Sequence, residues 1–256
     1  MIRKWVSLLA LDVLFCTALL YAVFGGPVNV FADDSGTLRG RFVYEGSPPK
    51  QGKLIVNKDQ DVCGAFDLRN EQLVVAEDGS MRDVIIYARK LKGPKSSEDN
   101  EPVVLDNKDC RFAPHVVAVR PGQTLVVKNS DPVAHNTDIK FSSNSAVNEG
   151  LPPSAKKELK VAKAERKPVS VSCSIHPWMR GYLVVQDTPY IAITKEDGTF
   201  EIKGLPVGKE VEFQVAHPKW KTVKFDVDGK PTKRGRFKLT VASGENDMGD
   251  LAIKPK

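Results

Sequence analysis

An all-β architecture is expected for this chain of 256 residues on three observations. Short runs of alternating polar and apolar residues recur, as in residues 37–46 and 169–173, and a period of two is that of a half-buried strand. Gly, Pro, Asn and Asp punctuate the spaces between these runs, as at Pro121-Gly122 and Asp197-Gly198. Beyond residue 32 there is no convincing amphipathic helix; the only candidate, 154–167, has weak apolar periodicity and ends at Pro168. The length admits two or three β modules, and 41% apolar with 27% charged residues describes a folded chain, not a disordered one.

The N-terminus reads as a targeting segment. Met1-Ile2-Arg3-Lys4 is basic, residues 6–24 are mostly apolar apart from Asp12, and Val30-Phe31-Ala32 has the small-residue pattern of a cleavage site. Residues 1–32 are therefore expected to be a signal peptide of an exported protein, periplasmic or in the cell envelope. The alternative is retention of 1–32 as a membrane anchor, because the apolar run approaches the length of a span. Cys16 lies in that segment, which leaves Cys63, Cys110 and Cys173 in the mature chain. Thiols pair in oxidising compartments. Three pairings are arithmetically open; Cys63 with Cys110 would leave Cys173 over, and an odd cysteine in an exported chain needs an explanation such as a metal thiolate.

Taken in order, 37–46 and 53–56 read as strands separated by Ser47-Pro48-Pro49. Residues 72–75 and 83–88 read as a hairpin around Glu77-Asp78-Gly79-Ser80, and 93–101 as a polar loop. Strands are expected at 115–119 and 125–129, joined at Pro121-Gly122, where Pro fixes φ and Gly takes a positive one. Residues 138–153 read as a loop, 169–173 and 181–185 as strands. Beyond residue 187 the pattern restarts: a hairpin over 190–203, then strands at 211–215, 223–227 and 236–241. The divisions expected are 33–100, 101–187 and 188–256.

The strands at 169–173 and 181–185 hold between them Cys173-Ser174-Ile175-His176-Pro177-Trp178-Met179. A thiol, an imidazole and a thioether fall three residues apart. Cys and Met are soft ligands and imidazole is borderline, a set suited to copper and not to calcium, magnesium or manganese. A His2Cys plane with a weak axial Met needs a second histidine, and His135, in Asp131-Pro132-Val133-Ala134-His135-Asn136, is the best candidate.

This loop resembles that of the cupredoxins, and in particular the short ligand loop of amicyanins: Cys173, His176, Pro177, Met179, Arg180, Gly181, then Val184 and Val185. The upstream stretch Val119-Arg120-Pro121-Gly122-Gln123, with Asn129-Ser130-Asp131 leading to His135-Asn136, is similar to the family too. Two positions depart from its habit, Val171 where an aromatic residue often stands and Ala134 where Pro is common. The resemblance covers roughly residues 106–186. It implies a cupredoxin-type Greek-key β-sandwich flanked by accessory β-sandwich segments. It further implies one type 1 copper held by His135, Cys173 and His176 with Met179 axial, and a brace between the two ligand loops at Asn136. Residues 190–215 are loosely similar to the carboxypeptidase regulatory, transthyretin-like β module.

The function expected is single-electron relay between protein redox partners, without catalytic turnover. An exposed edge of His176, rimmed by Pro177 and Trp178, would serve docking. Four alternatives carry weight: a buried structural Cys near ordinary histidines, a zinc site, copper held without redox turnover, and a cysteine protease with His135 as base. The last leaves His176 and Met179 idle. The rival from another class is a non-redox metal-binding or adhesion module of the envelope. His115 and His217 have no ligand partners near in sequence and read as surface or core residues. Basic residues at Lys156, Lys157, Lys160, Lys163, Arg166 and Lys167 and between Lys219 and Lys238 would steer acidic partners. Nucleic acid is not expected as the partner of an exported chain.

Overall fold

The computed structural model describes residues 35–94, 101–220 and 222–255, and these are almost entirely β. The expected signal segment and Cys16 lie outside the described residues. Among the described residues, no helix is long and apolar enough to cross a membrane.

Strand β1 (Ser35–Tyr44) alternates as its sequence requires, with Leu38 and Phe42 fully buried; burial of each stabilises the fold by about 1.5–3 kcal/mol. Residues 53–72 follow with one helical turn, α1 (Gln60–Cys63), and no strand. The strand expected at 53–56 is replaced by a single bridge, Lys53 to Arg69, with Ile55 83% exposed. No neighbouring strand lies alongside to satisfy its backbone. The hairpin expected over 72–88 is likewise reduced to a bridge from Val75 to Met81. Asp83, at φ 67°, turns the chain, and β2 (Ile85–Ala88) pairs elsewhere.

The next portion is a two-sheet sandwich. It comprises β3 (Val103–Lys108), β4 (Arg111–Ala113), β5 (Val116–Val119), β6 (Thr124–Asn129), β7 (His135–Ile139), β8 (Val147–Leu151), β9 (Lys156–Lys160), β10 (Val169–Ser172) and β11 (Arg180–Val185). One sheet has the order β4-β3-β6-β9, the other β5-β11-β10-β7-β8. Gly122 takes φ 90° at the expected turn. The strands it joins do not pair with each other: β5 lies in one sheet and β6 in the other. Two stretches read as irregular are strands. β8 lies in the expected 138–153 loop, and β9 occupies the helix candidate at 154–167, where Leu159 pairs with Leu125. The core between the sheets includes Leu105, Phe112, Leu125, Ile139, Val171 and Leu183.

The chain then returns through β12 (Ile191–Ile193), β13 (Thr199–Pro206), β14 (Glu210–Ala216), β15 (Asp226–Val227), β16 (Lys230–Pro231), β17 (Arg236–Thr240) and β18 (Gly244–Ile253). Gly198 takes φ 75° at the expected hairpin turn, where a Cβ would meet the Phe42 carbonyl oxygen at 2.6 Å. Its arms separate into different sheets, because β12 pairs with β2 and β13 with β1. The pairing of the N-terminal segment, open from the sequence, thus goes to the C-terminal strands. The sheets are β13-β1-β18 and β12-β2-β14-β17, closed over Phe42, Phe200, Phe213, Phe225 and Phe237. A smaller apolar cluster of Ile85, Val116 and Val184 joins the two sandwiches.

Candidate metal centre

Strand β10 lies between β7 and β11 and runs antiparallel to both. Its end therefore meets the beginnings of its two neighbours. His135 opens β7, Cys173 follows β10, and Met179 precedes β11. The topology thus gathers at one end of a sheet residues far apart in sequence, on elements more rigid than a free loop.

Three of the four residues expected in the site converge. Nδ1 of His135 and Nδ1 of His176 each lie 4.0 Å from Sγ of Cys173, and 2.8 Å from each other. The outer nitrogens are held by carboxylates: Nε2 of His135 is 2.9 Å from Oδ2 of Asp131, and Nε2 of His176 is 2.7 Å from Oδ2 of Asp59. A carboxylate acceptor fixes the Nε2–H tautomer. Two bare Nδ1 lone pairs then face one another beside a sulfur, an arrangement that repels unless a cation sits between them. The point equidistant from the three donor atoms is about 2.1 Å from each, within the usual range of metal–nitrogen and metal–thiolate bonds. The donor set fits a metal ion.

Met179 is buried in the same apolar cluster as Cys173. Its N–H donates to the His176 carbonyl at 2.9 Å, and its own carbonyl accepts from Cys173 N–H at 3.4 Å, closing the loop. Cys173 is a free, buried cysteine that accepts the N–H groups of Asn136 and His176 at 3.4 Å each. Asn136 braces the two loops as the resemblance implied: its Oδ1 accepts from Ser174 N–H at 2.6 Å and Ile175 N–H at 3.3 Å. Burial holds His135 below its ordinary pKa, and His176 acts in the same direction while Asp131 opposes them.

One expectation is overturned. His176 presents no exposed edge; it is 0% accessible. The covering is residues 53–72, tied down by the Cys63–Cys110 disulfide and packed through Leu54, Val56, Val62 and Phe66 against Val133 and Trp178. Trp178 does lie beside His176, with ring centroids 5.0 Å apart, and its indole N–H donates to the Cys110 carbonyl. It lines a cavity of about 200 Å³ together with Leu54, Leu68, Arg111 and Pro177.

Two carboxylates were missed from the sequence. Asp131 lies in a motif already singled out, where the invisible element was its grip on Asp109 N–H and Cys110 N–H at 2.7 and 2.9 Å. Asp59 gave no motif; its only signal is its place four residues before a cysteine that pairs with Cys110. Asp131 and His135 also lie within ligand distance of Cys110 Sγ, but the disulfide removes that sulfur from ligation. His115 and His217 are buried away from the centre. Burial lowers the pKa of both, that of His217 to about 4, while Asp83 beside His115 is pushed up by burial.

No protein-family model matches the chain, and no curated protein does. Solved structures do. A Cu-containing nitrite reductase from Thermus scotoductus SA-01 matches at 19% identity and TM-score 0.31, over 38% of this chain and 24% of its own length. A purple cupredoxin from Nitrosopumilus maritimus matches at 20% and 0.28, over 33% of this chain and 99% of its own. An amicyanin variant in the Cu(I) state matches at 18% and 0.30, over 40% of this chain and 98% of its own. The chain thus spans about a quarter of the reductase, and about two-fifths of it or less is similar to small cupredoxins.

Proposed function

We propose that this chain is an exported, mononuclear copper protein of the cupredoxin type that relays single electrons between redox partners. The observation that carries the reading is the convergence of two carboxylate-tethered imidazoles and one buried cysteine sulfur on a single point. His135, Cys173 and His176 would hold the ion, and Met179 would complete the set as a weak fourth donor. Copper bound there would supply a Cu(I)/Cu(II) couple. The protein's part is to keep the donors from rearranging between oxidation states: Asn136 fixes one loop to the other, and Asp59 and Asp131 fix the rings. With Cys173 only 2% exposed, a substrate acyl group has no path to its sulfur, which favours a carrier over a hydrolase. The disulfide supports an oxidising compartment. Exposed Arg166, Lys167 and Arg234 support acidic protein partners.

A second reading has one observation in its favour. The full burial of His176 suits a non-redox metal-binding module of the envelope, in which the ion is shielded. The deciding experiment is Cu(II) titration of residues 33–256, followed by visible absorption and electron paramagnetic resonance. A blue site of one equivalent with narrow copper hyperfine splitting, which then exchanges electrons with small inorganic couples, supports the relay. Absence of colour, or tetragonal copper bound only by nitrogen and oxygen, supports the second reading.

A further inference from the structure

Asp59 stands immediately before helix α1, where an aspartate normally turns its carboxylate to cap the helix N–H groups. It makes no such side-chain cap. Its carbonyl takes the N–H groups of Val62 and Cys63, at 3.1 and 2.8 Å, while its carboxylate reaches across to Nε2 of His176. Its backbone sits at φ 45°, ψ 47°. That left-handed conformation costs a non-glycine residue about 1–2 kcal/mol and persists only where surroundings enforce it. A helix cap is forgone and backbone strain accepted at a residue whose carboxylate touches a candidate ligand.

The tether points the same way. Four residues on, Cys63 is bonded to Cys110, whose N–H donates to the Asp131 oxygen that holds His135. Both imidazoles are thus held from behind by carboxylates belonging to one disulfide-locked frame. The apolar side chains of the segment share one cluster with Val133 and Trp178, each two residues from a candidate histidine ligand.

We infer that residues 53–72 are a cap fitted to the metal centre and that Asp59 is its positioning residue, fixing the tautomer and ring plane of His176 and sealing its outer edge. The inference rests on the copper reading for its purpose, but its geometry stands without a metal.

The test uses the full chain in two states. In the metal-free, ¹⁵N-labelled protein, long-range ¹H–¹⁵N spectra should show His176 as the Nε2–H tautomer with that proton protected from water. Asp59→Gly removes the carboxylate and suits the positive φ, so urea unfolding should confirm that it folds. It should mix the tautomers and speed exchange of the Nε2 proton by about tenfold or more, whereas Asp59→Asn, which keeps an acceptor oxygen, should retain most of the protection. In the copper-loaded protein, chelator competition should show affinity lowered about 10–100-fold by Asp59→Gly. An Nδ1–H tautomer in the wild type, or exchange and affinity unchanged in Asp59→Gly, overturns the inference. A wild type that shows the protected tautomer but takes up no copper leaves the cap standing and overturns the electron-relay reading instead.

Discussion

The side-chain oxygen of Asn136 accepts the backbone N–H of Ser174 at 2.6 Å, so the residue after one candidate ligand is hydrogen-bonded to the residue after another. The contact spans 38 positions in sequence and joins two loops that enter the site from adjacent strands.

Asn136→Ala leaves Ser174 N–H and Ile175 N–H without that acceptor at a part-buried junction. Loss of the brace should lower stability by about 1–3 kcal/mol. It should also loosen the copper donors. Urea midpoints give the first effect, and a broadened thiolate absorption band in the copper-loaded protein gives the second.

Cys173→Ala should abolish intense visible absorption on Cu(II) addition, because no other free sulfur ligand of that kind exists among the described residues. Met179→Leu should keep the colour and shift the reduction potential, as expected of a weak axial ligand. Colour that survives Cys173→Ala would falsify the ligand assignment.

The disulfide links residues 47 apart. Replacing both partners with Ser should cost about 4 kcal/mol in the chain-entropy model. Residues 53–72 should then become the first site of limited proteolysis, read by mass spectrometry of the cleaved chain.

His217 offers a pH signature unrelated to metal. Its folded pKa of about 4 lies below the unfolded value of roughly 6.5. The buried neutral form is favoured, so stability is complete above pH 6.5. As pH falls from 6.5 towards 4, the unfolded chain takes a proton that the folded chain refuses, and up to about 3 kcal/mol is lost. His115 titrates in the same direction, and Asp83, raised by burial, offsets part of it. Denaturant unfolding across this window should show a smaller decline for His217→Gln than for the wild type.

What could be read from the sequence followed from local chemistry. The spacing of Cys173, His176 and Met179, the positive φ at Gly122 and the alternation in β1 and β10 are properties of short stretches, and the structure contains each. Strand partners were not legible, because pairing depends on residues distant in the chain. The arms around Gly198 look like a hairpin, yet each is drawn into a different sheet by β1 and β2. Strand β9 is lysine-rich and edge-placed, so only Leu159 is left to mark its apolar face. Asp59 was hidden for a related reason. Its partner is 117 positions away, and a solitary aspartate before a helical turn reads as a cap until its carboxylate is seen pointing elsewhere.

The pairing of β1 with β18 sets an order of assembly. The outer sandwich needs its first strand and its last, which run side by side in parallel, and so it cannot close before residue 253 is present. The inner sandwich uses strands between residues 103 and 185 alone, and its cap lies earlier still. In a chain that emerges from its N-terminus, the metal-binding half is therefore complete while the outer framework is still two unjoined pieces. The last ten-residue strand acts as the closing seam, and removing it should leave a molecule that has its centre but not its frame.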